Sequence, residues 1–444
     1  VSGTWPLALR LLAGLAALGG ASGHAHFCRE CADRAAALLS TALPAGTALP
    51  PLDAAPPPPP APVAMQAFPL SQVSLRAGDT SASNLSWAAE HTNMEYLQML
   101  SVDSLAYNFR QTAGLSTEDA RPLGGWESPY PSTEGDDRGH FVGHWLSATA
   151  LAVNSTGNAE LKTSATRLVQ ILGKCQQANS IKYPKHGPGY LSASPVIYFD
   201  CLENLWRPPC RYMQVPYYNV HKIMQGLLDQ HQLLGNAEAF QILLTMATYF
   251  NNRITSLINR NGTAVWNQVL ETETGGMNDV MYKLYAITRD PQHLRMAHLF
   301  DKQTWFAPLM DDTDALGGNH ANTHLALTVG GANRYGVIAD AEYRHATEFF
   351  VETLRSAHSY STGGSNFREY WQTAHAQGSS LFTQAAGGHG GFEGHDNEES
   401  CTTYNFLKIV RLLFEWSGLP GFMEMCPLRF SIIENTQGRM AAVF

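Results

Sequence analysis

The stretch VHKIMQGLLDQHQLLGNAEAFQILLTMATYF, residues 220–250, decides the fold. Val220, Ile223, Met224, Leu227, Leu228 and Leu234 recur at three- and four-residue steps, the period of a helix with one buried face. Gly235 ends that helix, because glycine suits the left-handed C′ position. Asn236 starts the next, because its side chain caps free N–H groups. NAEAFQILLTMATYF then takes up the same period at once, so the stretch reads as a helical hairpin.

The same punctuation returns at Gly157-Asn158, Arg289-Asp290-Pro291, Ala339-Asp340 and Gly418-Leu419-Pro420. Met277, Val280, Leu284 and Ile287 repeat the helical period, as do Phe406, Ile409, Val410 and Leu413. Strand-like alternation is scarce. Repeated hairpins bury their faces only against neighbouring hairpins, in an open solenoid or a closed toroid. Residues 121–140, 181–218 and 357–398 are long connections rich in Gly, aromatic residues and His. Connections of that length usually carry function, and a closed ring collects them at one rim. The expected fold is therefore an all-α toroid of helical hairpins.

Outward from this core the chain changes character. Pro6–Gly23 is an apolar run with one Arg followed by small residues, the pattern of a secretory signal peptide cleaved near Ala21–Gly23. The first residue is Val1, not Met. Nine prolines fall between Pro44 and Pro62, and such a stretch favours polyproline II and builds no core. The expected organisation is a signal peptide over 1–23, a linker over 24–66 and the helical domain over 67–444. Sequons at Asn84, Asn154 and Asn261 agree with a secreted, extracellular protein.

Composition narrows the partners. The 444 residues carry a net charge of −9, with 15% charged and 44% apolar residues. No basic run offers a nucleic-acid surface. No apolar stretch of about 20 residues after the N-terminal region offers a membrane span. Of seven cysteines, Cys28 and Cys31 form a lone C-x-x-C that supports neither zinc nor redox chemistry. Cys201 and Cys210 bracket a short loop and are a disulfide pair if the compartment is oxidising. Cys175 reads as a buried thiol on a helix.

Polar and aromatic residues cluster where helices begin. GGWE (124–127) precedes RGHFVGHW (138–145); VPYYNVHK (215–222), ETGGMND (273–279) and GNHANTH (318–324) open three further helices. Helix N-termini present free N–H groups and partial positive charge. His140, His144, His221, His320 and His324 therefore either line one polar pocket or cap helices and satisfy buried carbonyls. The pairs His140/His144 and His320/His324 have the spacing of zinc-peptidase histidines. Phe141 and Ala321 occupy the place of that motif's Glu, which excludes the peptidase.

Glu399 and Cys401 precede a helix over 402–416. Residues two apart on a regular helix point about 200° from each other, so these two converge only at a helix start. There the helix N-terminus is expected to lower the Cys401 pKa and favour a thiolate. The pair is either half of a zinc site or an acidic N-cap followed by a buried Cys.

Taken in order, GGWESP (124–129), RGHFVGHWLSA (138–148), YLSASP (190–195), VPYYNVHKIMQGLLDQ (215–230), ETGGMNDVMYKLYAIT (273–288), NHANTH (319–324) and EESCTTYNFLK (398–408) resemble the β-L-arabinofuranosidases of glycoside hydrolase family 127 and the related family 146. The resemblance runs from about Phe68 to Gly418. It implies an (α/α)6 barrel, normally followed by β-sandwich domains. It implies retaining hydrolysis of terminal β-L-arabinofuranose in an arabinose-containing glycan. It also implies a zinc-bound cysteine nucleophile, the metal held by one Glu and three Cys, with a separate Glu as general acid/base.

Matched by position, Glu399 and Cys401 are the first zinc ligands, and Glu369, in NFREYW (366–371), is the acid/base. The five histidines contact sugar or support the residues that do. Residues 372–397 form a longer link than the family's, which makes Glu393 a competitor for Glu369. The family's Cys-Cys pair, one of which is the nucleophile, occurs nowhere in the chain, and Cys426 stands alone. On this comparison the chain is expected to end before its nucleophile, two zinc ligands and the β-sandwich, and to be inactive as it stands. Two other readings use the same residues. One is a glycosidase with carboxylates alone, Glu369 with Glu127 or Glu273, on another sugar. The other is a secreted, non-catalytic carbohydrate-binding barrel.

Overall fold

A computed structural model describes residues 59–75, 81–129, 137–204, 215–378, 399–422 and 425. The expected signal peptide, Cys28, Cys31, Cys210, Glu393 and Cys426 lie outside them. No strand longer than an isolated bridge occurs among the described residues.

The helices are α1 (Ser81–Met99), α2 (Val102–Leu105), α3 (Tyr107–Ala113), α4 (His140–Thr156), α5 (Ala159–Lys182), α6 (Ile197–Glu203), α7 (Pro216–Leu234), α8 (Ala237–Asn261), α9 (Thr263–Val269), α10 (Met277–Thr288), α11 (Pro291–Leu299), α12 (Gln303–Met310), α13 (Ala321–Ile338), α14 (Ala341–Ala357) and α15 (Ser400–Ser417). Helices α1, α4, α7, α10, α13 and α15 pack each against the next as an inner series, with α5, α8, α11 and α14 outside it. This is the arrangement of an α/α barrel.

Turn chemistry builds the hairpins. Gly157, Gly235 and Gly418 adopt φ of 72°, 67° and 67°, and Arg289 and Ala339 adopt 55° and 56°. After them, the side chains of Asn158, Asn236, Asp290 and Asp340 accept hydrogen bonds from the backbone N–H of Leu161, Ala239, Gln292 and Glu342. Each helix is therefore stopped and the next started within two residues.

Glycine sets the closest helix crossing. A Cβ on Gly143 of α4 would lie 2.2 Å from the carbonyl carbon and oxygen of Lys222 on α7. One on Gly226 would lie 2.6 Å from the Gly143 oxygen. The two backbones thus touch directly, next to the first turns that carry the histidines.

Residues at the end of the expected linker bond to the helical domain: Ala61 N–H donates to Gly336 O, and Ala64 and Met65 N–H both donate to Glu415 O. Asn154 donates its amide to Leu233 O at 2.7 Å, so that sequon's nitrogen is engaged inside the fold. Cys175 is a buried free thiol, pushed up to about 12 by burial, as expected. Cys201 is disulfide-bonded. No helix among the described residues is long and apolar enough to cross a membrane.

Gly143→Ala is expected to cost about 3 kcal/mol of unfolding free energy, because its neighbour is backbone and cannot turn aside. Gly235→Ala, with open space around it but a left-handed backbone, is expected to cost about 1 kcal/mol. Urea unfolding of the two variants checks the order.

Candidate active site

The approach to α4 is organised by one carboxylate. Glu127 ends the 3-10 turn Gly125–Glu127 and is buried. Its oxygens accept from Gly139 N–H at 2.8 and 2.9 Å and from Phe141 N–H at 3.1 Å. Asn108 donates its amide to the Glu127 carbonyl at 2.8 Å. Glu127 therefore caps α4. Fully occupied there, it is not available as the second carboxylate of a carboxylate-only mechanism. Burial, only partly offset by the N–H groups, pushes it up to about 7.

Beyond this cap the histidines meet. His140 lies edge-on to His144 at 5.9 Å and tilted against Tyr218 at 5.6 Å between ring centroids. Its Nδ1 lies 2.5 Å from Asp137 O. On α7, His221 Nδ1 accepts from Gly276 N–H at 3.1 Å. A Cβ on Gly275 or Gly276 would fall 2.6 or 3.0 Å from this ring, which is why the loop entering α10 carries two glycines. Burial holds His140 down at about 4 and pushes His144 and His221 well below the usual histidine range, with Lys222 adding to each.

The second half of the site rests on a backbone clamp. Phe367 and Tyr370 exchange both N–H···O bonds around Arg368 and Glu369, whose φ values are 47° and 68°. This is the geometry of a type I′ turn, here without glycine. The turn lies antiparallel to the segment entering α13: Trp371 N–H donates to Asn319 O, Gly318 N–H to Trp371 O and Ala321 N–H to Glu369 O. Trp371 is buried and stacked on Trp305 at 5.8 Å. His320 caps α13 through Nδ1, and its Nε2 lies 3.5 Å from Glu369 Oε2. Against the cost of burial, Glu369 and the charges of Glu273 and Glu399 raise the His320 pKa. His324 serves the structure instead. Its Nδ1 lies 2.8 Å from His320 O, its ring packs on Trp305, and burial lowers it to about 3.

Glu399 is the N-cap residue of α15, and Cys401 follows in its first turn. The two side chains do converge, joined by a hydrogen bond. Thr402 ties this turn to the acid-bearing segment, its hydroxyl donating to Asn366 Oδ1 at 3.0 Å. The expected thiolate is not what the site favours. Burial and the adjacent Glu399 push the Cys401 thiol up, and outweigh the helix N-terminus. Burial also raises Glu399. Its Oε2 is buried with no hydrogen-bond partner among the described residues. No group of three or more His, Cys, Asp or Glu able to hold a metal occurs among those residues.

Further groups face this cluster. Lys222 is buried with its Nζ 5.1 Å from the Tyr218 ring centroid, and burial lowers it to about 8. Burial disfavours the Lys408 charge, yet Tyr404, Asp279 and Asp229 hold it above the usual lysine range. Glu273 acts on Tyr218, Lys222, His320, Glu399 and Cys401 alike. Lys222 was detectable in sequence as a charge inside the apolar run of α7 with no acid one turn away.

This arrangement has relatives. Residues 81–427 match the family described as Beta-L-arabinofuranosidase, GH127 catalytic domain. The chain belongs to this family. A solved GH127 β-arabinofuranosidase matches at TM-score 0.51 and 15% identity, over 84% of this chain and 54% of that one. A GH127 β-L-arabinofuranosidase from Geobacillus stearothermophilus T6 matches at TM-score 0.49 and 14% identity, over 81% and 53%. This GH127 chain thus spans about half the length of these structures. No curated protein matches it.

The GH127 cap makes a pH prediction. A carboxyl group raised in the folded state binds a proton that the unfolded chain has already lost, so stability falls as pH rises from about 4.5 to about 7. Glu127→Gln keeps an acceptor for Gly139 and removes the titration. Its melting temperature relative to the parent is expected to rise between pH 5 and pH 7.5, by an amount on the order of 2 kcal/mol in stability. Calorimetry across that range checks it.

Proposed function

We propose that this chain is the sugar-binding barrel of a retaining glycosidase that releases β-L-arabinofuranose from the non-reducing ends of an arabinose-containing glycan. The reading rests on one observation above the others. The turn 367–370 holds Glu369 against His320, and Glu369 acts electrostatically on Glu399 beside Cys401. An exposed carboxyl group in that position donates a proton to the leaving oxygen and later takes one from water. His140, His144 and His221 are neutral and offer both donors and acceptors to sugar hydroxyls.

Glu399 and Cys401 suit two positions of a zinc site, and the orphaned Oε2 of Glu399 supports this. A structural or catalytic zinc takes about four ligands, and the other two are not among the described residues. Bound there, zinc supplies a deprotonated sulfur at neutral pH. The disulfide at Cys201 supports an oxidising, secretory compartment.

The intact protein is expected to hold about one zinc per chain and to lose it in Glu399→Gln. Glu369→Gln is expected to lower kcat by about 10²- to 10⁴-fold on glycosides with poor leaving groups, and less on aryl glycosides. A second reading keeps the sugar chemistry but pairs Glu369 with Glu273, which faces the same cluster. Activity that survives both chelation and Cys401→Ser selects that reading.

A further inference from the structure

Two large aromatic side chains stand in solvent at this site. Trp126 is 69% exposed and Tyr370 is 47% exposed, although twelve of the largest side chains in the fold are fully buried. Each packs on a site histidine. The Trp126 ring meets His140 edge-on at 5.4 Å, and the Tyr370 ring meets His320 edge-on at 5.3 Å. Tyr218 continues the Trp126 side, its ring tilted against His140 at 5.6 Å.

Both rings are held rather than mobile. Glu127, the residue after Trp126, is bound through its carboxylate to α4 and through its carbonyl to Asn108. Glu127 and Ser128 N–H close the turn onto Gly124 O and Gly125 O. Tyr370 is fixed by its paired bonds with Phe367, one residue from buried Trp371. A largely exposed indole packed edge-on to a site histidine is apolar surface left open to a ligand, and exposed apolar surface beside convergent polar groups marks binding. Tryptophan and tyrosine bring apolar area at little entropic cost, with a polar edge.

We propose that the exposed faces of Trp126 and Tyr370 bind sugar units beyond the terminal one, with Trp126 as the main platform. The ligand class is a second furanose or pyranose unit, whose C–H face lies on the indole while the terminal sugar occupies the histidine pocket. This rests on the glycosidase reading above and adds to it a preference for chains over simple glycosides.

The test uses the intact protein carrying Glu369→Gln, to stop turnover, with isothermal titration of two ligands. One is methyl β-L-arabinofuranoside and the other is a β-L-arabinofuranosyl disaccharide. Adding Trp126→Ala is expected to weaken the disaccharide roughly five- to tenfold and to leave the methyl glycoside within about twofold. Trp126→Phe is expected to restore part of the loss, and Tyr370→Ala to act in the same direction with a smaller effect. Equal weakening of both ligands, or no change in either, overturns the subsite. So does a large fall in melting temperature with binding intact, which makes Trp126 a packing surface for another part of the protein. Absence of binding of either ligand by the Glu369→Gln parent overturns the glycosidase reading as well, and so separates the two failures.

Discussion

The backbone contact between Gly143 and Lys222 governs where the chemistry sits. Two helices whose main chains touch have no room to slide, because any shift drives a carbonyl into an α-carbon. The first turns of α4 and α7 are fixed by it, and with them His140, His144 and His221. The glycines at 275 and 276 repeat the device one helix further on, letting a loop rest directly on the His221 ring. Packing of this kind converts sequence-distant histidines into one rigid polar wall.

The wall is polar without being charged. Burial lowers the pKa of His140, His144, His221 and His324 and so disfavours the doubly protonated ring, leaving one donor and one acceptor nitrogen on each. Positive charge comes from Lys222 and Lys408, and from Lys283 and Lys302, which act on His221 and His324. Negative charge faces them from Glu273, Glu369 and Glu399.

The hairpins were legible because their signals are local. Gly235 and Asn236 act on residues within one turn of themselves, and Asp290 and Asp340 reveal the stops at Arg289 and Ala339 despite their lacking glycine. The electrostatic reach of Glu369 to Glu399 had no local sign in the long connection between them, and only the resemblance paired the two. The capping role of Glu127, one of two alternative partners for Glu369, had no local sign, because Gly139 and Phe141 lie twelve and fourteen residues on. Cys401 was expected as a thiolate because a helix terminus is visible in sequence and burial is not. Lys222 and Glu273 gained their importance only through the closing of the ring.

The turn that carries Glu369 is bound to residues 318–321 by three backbone hydrogen bonds, through the N–H groups of Trp371, Gly318 and Ala321. Those bonds are the same however many residues follow Trp371 before α15 begins. A connection of any length that leaves those three bonds intact leaves the turn seated on the entry to α13, so the loop beyond it is free to vary while the barrel's framework keeps its shape.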